Sequence, residues 1–266
     1  MKTTITSLLV ILTGIALATG SAQAAALMSD NFDSYNLTDL VGQDSWAAHS
    51  GAGNKPVQVV VAPPGLTGKV ALLQQSGGSG EDVNKTTGYT MGAGDTWYAS
   101  FQVVVTGSDK VATTDYFAHF LQGTSNFGGK AFVTQAPDSK DFTFGFSASS
   151  GGATTSGVWS TGFDFNSVHT VVVSYDYNTG TGSMWVDPIY SLGPGGNASI
   201  YDGNGAHPLY AMTAFAFRQS SLTTCNQYVD NLMVGSSWND VVVPEPATLG
   251  LLALGGLAVM ARRKKN

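Results

Sequence analysis

The chain has 266 residues, a formal net charge of −6 and a single cysteine. Between Ala25 and Val243, 17 acids face 7 bases, which disfavours a phosphate-binding surface and a nucleic-acid partner. Cys225 has no second cysteine to pair with, so the fold must rest on its core, where a lone cysteine serves as a small buried residue.

The N-terminus joins a basic Lys2, an apolar run from Leu8 to Ala18 and Ala22-Gln23-Ala24, an A-x-A cleavage pattern. This predicts a signal peptide over 1–24 and a mature chain beginning near Ala25. The run is too short for a retained anchor, which needs about 20 apolar residues.

Residues 25–240 punctuate as one all-β domain, with Gly-, Ser-, Thr- and Asn-rich turns between short alternating runs and no helix-period segment of useful length. The clearest strand is Trp97 to Thr106: Trp97, Ala99, Phe101, Val103 and Val105 share one face, and Ser100, Gln102 and Thr106 the other. Phe142, Phe144 and Phe146 alternate in the same way. Runs at Val57–Val61, Val70–Leu73, Tyr116–Leu121, Ala131–Thr134, Val168–Asp176, Ser183–Asp187, Leu209–Arg218 and Gln227–Val234 bring the count to about ten, which predicts a jelly roll of two packed antiparallel sheets.

One hairpin is legible in detail. Val171 to Asp176 runs up, Tyr177 to Gly180 turns with positive φ expected at Asn178 and Gly180, and Gly182 to Asp187 returns until Pro188 stops the ladder. This hairpin, with the closing stretch Tyr228 to Trp238, resembles the strands of concanavalin-like, laminin-G-type lectin domains. The resemblance implies a jelly-roll sandwich, often calcium-stabilised and often binding sugar or protein.

Catalytic signatures are sparse. Glu81 is the one Glu of the displayed domain, and the paired carboxylates of a glycosidase are not patterned on any predicted strand. Jelly-roll polysaccharide lyases use His and Tyr, for which His119, His169 and Tyr175 are available without a joining motif; His119 reads as an outward-facing strand residue and His169 as a loop cap. His49 and His207 stand apart, without a transition-metal cluster.

Calcium has a better basis. Asp30, Asp33 and Asp230 lie at the two ends of the domain, and terminal strands pairing side by side would bring their hard oxygens together. The alternative is that these acids cap turns or solvate a sheet edge. Trp97 and Trp185 belong to strand cores, whereas Trp46, Trp159 and Trp238 lie near turns and are the candidate sugar-stacking platforms, packing against the rim being the alternative.

The C-terminal segment, 244–266, has three parts: Pro244-Glu245-Pro246, an apolar stretch from Ala247 to Ala261, and Arg262-Arg263-Lys264-Lys265. As a helix the apolar stretch spans about 22 Å against a hydrocarbon core of roughly 30 Å, and the four bases hold the end in the cytoplasm. The order resembles the PEP-CTERM signal of exosortase substrates. That implies a Gram-negative-type bacterium, recognition of Pro244, Glu245 and Pro246 by an exosortase, a membrane tether through the short transmembrane helix before processing, and later display at the cell surface or release.

The expected function is therefore a cell-surface or extracellular-matrix protein, non-catalytic, binding an extracellular polysaccharide or serving a structural role. The alternatives are a carbohydrate-active lyase or hydrolase on the same fold and a self-associating coat component.

Overall fold

The structure is a computed structural model that describes residues 26–75, 78–148, 151–152, 154–203, 208–220 and 225–242. The expected signal peptide over 1–24, His207, the Pro-Glu-Pro tripeptide, the apolar stretch after it and the basic tail lie outside these residues.

Two antiparallel sheets face each other. The first runs β13 (Ile200–Asp202), β12 (Gly182–Val186), β11 (Val168–Asp176), β6 (Thr96–Thr106), β15 (Asn226–Gly235), β4 (Lys69–Gln74), β3 (Gln58–Val61), with β1 (Met28–Asp30) also paired to β15. The second runs β10 (Gly157–Val158), β9 (Thr143–Ser147), β8 (Asn126–Thr134), β7 (Asp115–Gln122), β14 (Ala214–Phe217), β5 (Asp82–Thr86), β2 (Ala47–Ser50). A 3-10 turn at Tyr190–Leu192 and two short helices, α1 (Gly193–Gly196) and α2 (Trp238–Val241), are the helical segments among the described residues.

The core lies where the alternation places it. Trp97, Ala99, Phe101, Val103 and Val105 of β6 meet Phe144 and Phe146 of β9 and Phe215 and Phe217 of β14 in one buried cluster. Phe101 packs edge-on against Phe117 at 5.8 Å, and Phe120 against Phe215 at 5.2 Å. Burying an aromatic side chain stabilises by a few kcal/mol, so this inner layer dominates the energetics. Cys225 is fully buried.

The β11–β12 hairpin forms with Val171 opposite Val186 and Val173 opposite Met184. Gly180 takes the positive φ, 63°, but Asn178 does not. The turn is instead closed by the Asp176 carboxylate, which accepts from the backbone N–H groups of Asn178 and Thr179 at 3.0 Å each. The run at Leu209–Arg218 is a strand only over Ala214–Phe217, because its first part is spent on loop contacts such as Tyr210 N–H to the Tyr175 hydroxyl.

β1, β2, β5 and β13 were not legible as strands. β5 reads Asp-Val-Asn-Lys-Thr, a polar run whose inward positions are Val83 and Lys85. A lysine facing the core hides the strand from any pattern based on hydrophobicity.

Candidate functional site

Lys85 enters the core because two carboxylates wait for it. Its ammonium lies 2.9 Å from Asp30 Oδ2 and 2.7 Å from Asp44 Oδ2, with only 10% of the side chain exposed. Burial pulls the lysine pKa down, but the bonds to Asp44 and Asp30 outweigh it and hold the group above its ordinary value. Asp30 Oδ2 also accepts from the Tyr35 hydroxyl at 2.5 Å and Trp46 Nε1 at 2.8 Å, while Oδ1 accepts from Phe32 N–H at 2.9 Å. Desolvation and the bond to Asp30 drive the Tyr35 phenol far above its ordinary pKa.

Asp30, Tyr35 and Asp44 of this network line a cleft of about 740 Å³ beside the first sheet, with Lys85 reaching the two carboxylates from the second sheet. The register explains the lining: Thr170 pairs with Gln102, so polar groups of β11 and β6 lie side by side, while Val172, opposite Ser100, turns the same face apolar towards α2. β1 adds Ser29 beside β15, where the ladder shifts between Asp230 and Met233 and Asn231 adopts φ 51°. Asn231 Nδ2 donates to Gln102 Oε1 at 2.8 Å. Ser29, Ser34, Ser100, Gln102, Thr170 and Asn231 thus bring hydroxyls and amides to one concavity, with Asp30 and Asp44 as its carboxylates.

One wall is aromatic. Trp238 of α2 packs edge-on against Trp185 at 5.0 Å and Tyr98 at 6.2 Å, with Val172, Val241 and Val242 buried beside them. Tyr190 leans on this cluster and lines the cleft, and its carbonyl accepts from Trp238 Nε1 at 3.4 Å.

Two of the expected stacking platforms are corrected. Trp46 is 2% exposed and lies face to face with Phe217 at 5.4 Å; Trp238 is 6% exposed because α2 folds back over the sheet. Trp159 is half-buried against the core, with its backbone N–H donating to Phe144 O at 2.8 Å.

Asp30, Asp33 and Asp230 gather at the same end of the sandwich. Burial, with Asp33 and Asp30 close by, pushes Asp230 up to about 6. The donor set nonetheless fits calcium poorly at Asp30, since Lys85 already supplies its counter-charge. Asp33 Oδ1 accepts from Lys69 N–H at 2.9 Å, and among the described residues no group of three His, Cys, Asp or Glu side chains is arranged to hold a metal.

The outer face of the second sheet carries a different cluster. His119, expected to face outward, is fully buried, its ring 4.6 Å from Phe127 and 5.5 Å from Tyr116, with His49 at 6.0 Å. Desolvation pushes His119 down to about 3 and His49 to about 4. Lys130 is equally enclosed: its ammonium donates to the carbonyls of Gly151 and Gly152 at 2.8 and 2.9 Å and lies 5.1 Å from the Tyr116 ring centre. Burial lowers it to about 8. Arg218 stacks over Tyr116 at 4.3 Å and pairs with Asp115 at 2.6 Å. His169, at the rim, bridges Ser167 Oγ at 2.7 Å and Asp187 at 2.8 Å, tying the start of β11 to the end of β12.

Residues 242–265 match the PEP-CTERM protein-sorting motif. The chain carries a sorting tail. It marks the protein for sorting to the cell surface by an exosortase-type enzyme, and the folded domain runs directly into it, since Val242 is 5% exposed. No helix among the described residues is long and apolar enough to cross a membrane.

No curated protein matches the sequence. Among solved structures the domain is similar to part of a sialidase, with 13% identity, a TM-score of 0.51 and coverage of 80% of this chain and 19% of that one. It is also similar to the binding domain of Paraclostridial Mosquitocidal Protein 1, with 11% identity, a TM-score of 0.51 and coverage of 80% and 49%. The chain thus spans about one fifth and one half of those chains. The likeness shows the fold, a concanavalin-like jelly roll.

Proposed function

We propose that this exported protein is a non-catalytic glycan binder of the cell surface or extracellular matrix, and that the cleft lined by Ser29, Gln102, Thr170 and Tyr190 is its sugar site. The observation that carries the reading is the lining itself: hydroxyl and amide groups from β1, β6, β11 and β15 beside a tyrosine ring. Sugars present hydroxyls that both donate and accept, and C–H faces that rest on aromatic rings. The sorting tail supports a place outside the cell, where polysaccharide is the abundant polymer.

The alternative, a lyase or hydrolase, draws on Tyr116, His119, Asp115 and Arg218, which do converge. Their enclosure weighs against it: Asp115 is 3% exposed, His119 0%, and a histidine held near pKa 3 is a poor proton acceptor at neutral pH. The test is a panel of soluble polysaccharides offered to the full-length protein in mild detergent, scored for binding and for shortened or unsaturated products. Binding without products is expected. Products whose formation is lost in His119→Gln would replace this reading with the enzymatic one.

The reading needs no metal. Calcium at this end would rest on Asp33 and Asp230 with backbone oxygens, because Asp30 is committed to Lys85.

A further inference from the structure

We propose that the cleft selects uncharged glycans and rejects those bearing carboxylates, such as polyuronates and sialosides; this rests on the reading that the cleft takes sugar. A carboxylate is held most strongly by a guanidinium or an ammonium, whose charge-assisted hydrogen bonds are roughly twice as strong as those of neutral donors. Among the described residues no lysine or arginine lines the cleft, and its ionisable walls include Asp30 and Asp44.

The cations nearby are spent. Lys85 divides its ammonium between Asp30 and Asp44 and is 10% exposed. Lys69 donates to the backbone carbonyls of Asp33 and Tyr35. Arg218 and Lys130 belong to the opposite sheet, facing Asp115 and the Gly151 and Gly152 carbonyls. An incoming carboxylate would instead meet Asp44, which lines the cleft with its side chain 67% exposed, and Asp30 beside it. Like charges brought together in a partly desolvated cleft cost free energy that the neutral hydroxyl and amide donors here offset less than a cation would. An uncharged sugar meets no such field and finds donors and acceptors in Ser29, Ser100, Gln102 and Thr170.

Matched pairs test this with the full-length protein in mild detergent: lactose against sialyllactose, and cello-oligosaccharide against polygalacturonate oligomer, by titration calorimetry in 20 mM and 500 mM NaCl. The uncharged member of each pair should bind at least about tenfold more tightly in low salt, and the ratio should shrink in high salt as the field is screened. Asp44→Asn suits the left-handed backbone at φ 40° and should lower the ratio at least about threefold. Equal or tighter binding of the acidic members overturns the selectivity and leaves glycan binding standing. Binding of neither member of any pair overturns the glycan reading, and this inference with it.

Discussion

On the outer face of the first sheet, Ser100, Gln102 and Thr170 open into a cleft; on that of the second, Tyr116, His119 and Lys130 are packed away and Arg218 is half-buried over Tyr116. Both faces arise from the same strand alternation, so alternation alone does not decide which is free to bind. The difference lies in what covers them and in the sign of their charge. The open face is acidic at Asp30 and Asp44, to which Lys85 reaches across from the second sheet. The closed face holds Lys130 and Arg218, engaged by carbonyls, rings and Asp115. The first can select a ligand, and the second braces the sheet.

The largest effect should come from Lys85. Lys85→Met leaves Asp30 buried without a counter-charge, a loss of about 3–5 kcal/mol of folding stability, measurable by urea denaturation. A change under about 1 kcal/mol would mean that the cleft wall does not depend on this cation.

Lys130 gives the smaller contrast and carries a pH signature. Its pKa is about 8 in the folded protein against an ordinary 10.5. Between those values the unfolded chain holds more protons, so stability should rise with pH, by up to about 1.4 kcal/mol per unit. The penalty is full below pH 8. The raised tyrosines Tyr98, Tyr116 and Tyr175 act in the opposite sense above pH 10, which leaves pH 8 to 10 as the window. From pH 7.5 to 9.5 the wild type should gain about 1–2 kcal/mol relative to Lys130→Met. Parallel pH profiles would show that Lys130 is solvated after all.

Smallest of all is the response to chelation. With Lys85 serving Asp30, excess EDTA should move the melting midpoint by less than about 1 °C, since a ligand bound only to the folded state would raise it by several degrees. A fall of several degrees, reversed by calcium and absent in Asp230→Asn, would place a metal at Asp33 and Asp230.

Much of the sandwich was readable from periodicity. β6 and β11 fell where alternation put them, and Ser100 and Gln102 were already assigned to the face that now lines the cleft. β1 and β5 were not, because short polar strands are specified by their partners: β1 by register with Met233 and Leu232, β5 by the meeting of Lys85 with Asp30. The three acids expected at the chain ends do assemble, through the pairing of β1 with β15. What separates their roles is Lys85, 55 residues from Asp30 in sequence, which no local pattern links to it. Trp46 and Trp238 looked like surface residues because they adjoin turns; each turn folds its ring inward, onto Phe217 and onto Trp185.

The central claim is that the cleft of the first sheet is the binding site. Ser29 is exposed, lines the cleft and lies outside the core, so Ser29→Trp should fill the space without unfolding the domain. The decisive measurement is the affinity of full-length wild type and Ser29→Trp for the uncharged glycan that binds best. At least about a tenfold loss, with a melting midpoint within about 2 °C of wild type, is the predicted result. Unchanged affinity in a variant that is folded to the same midpoint would contradict it.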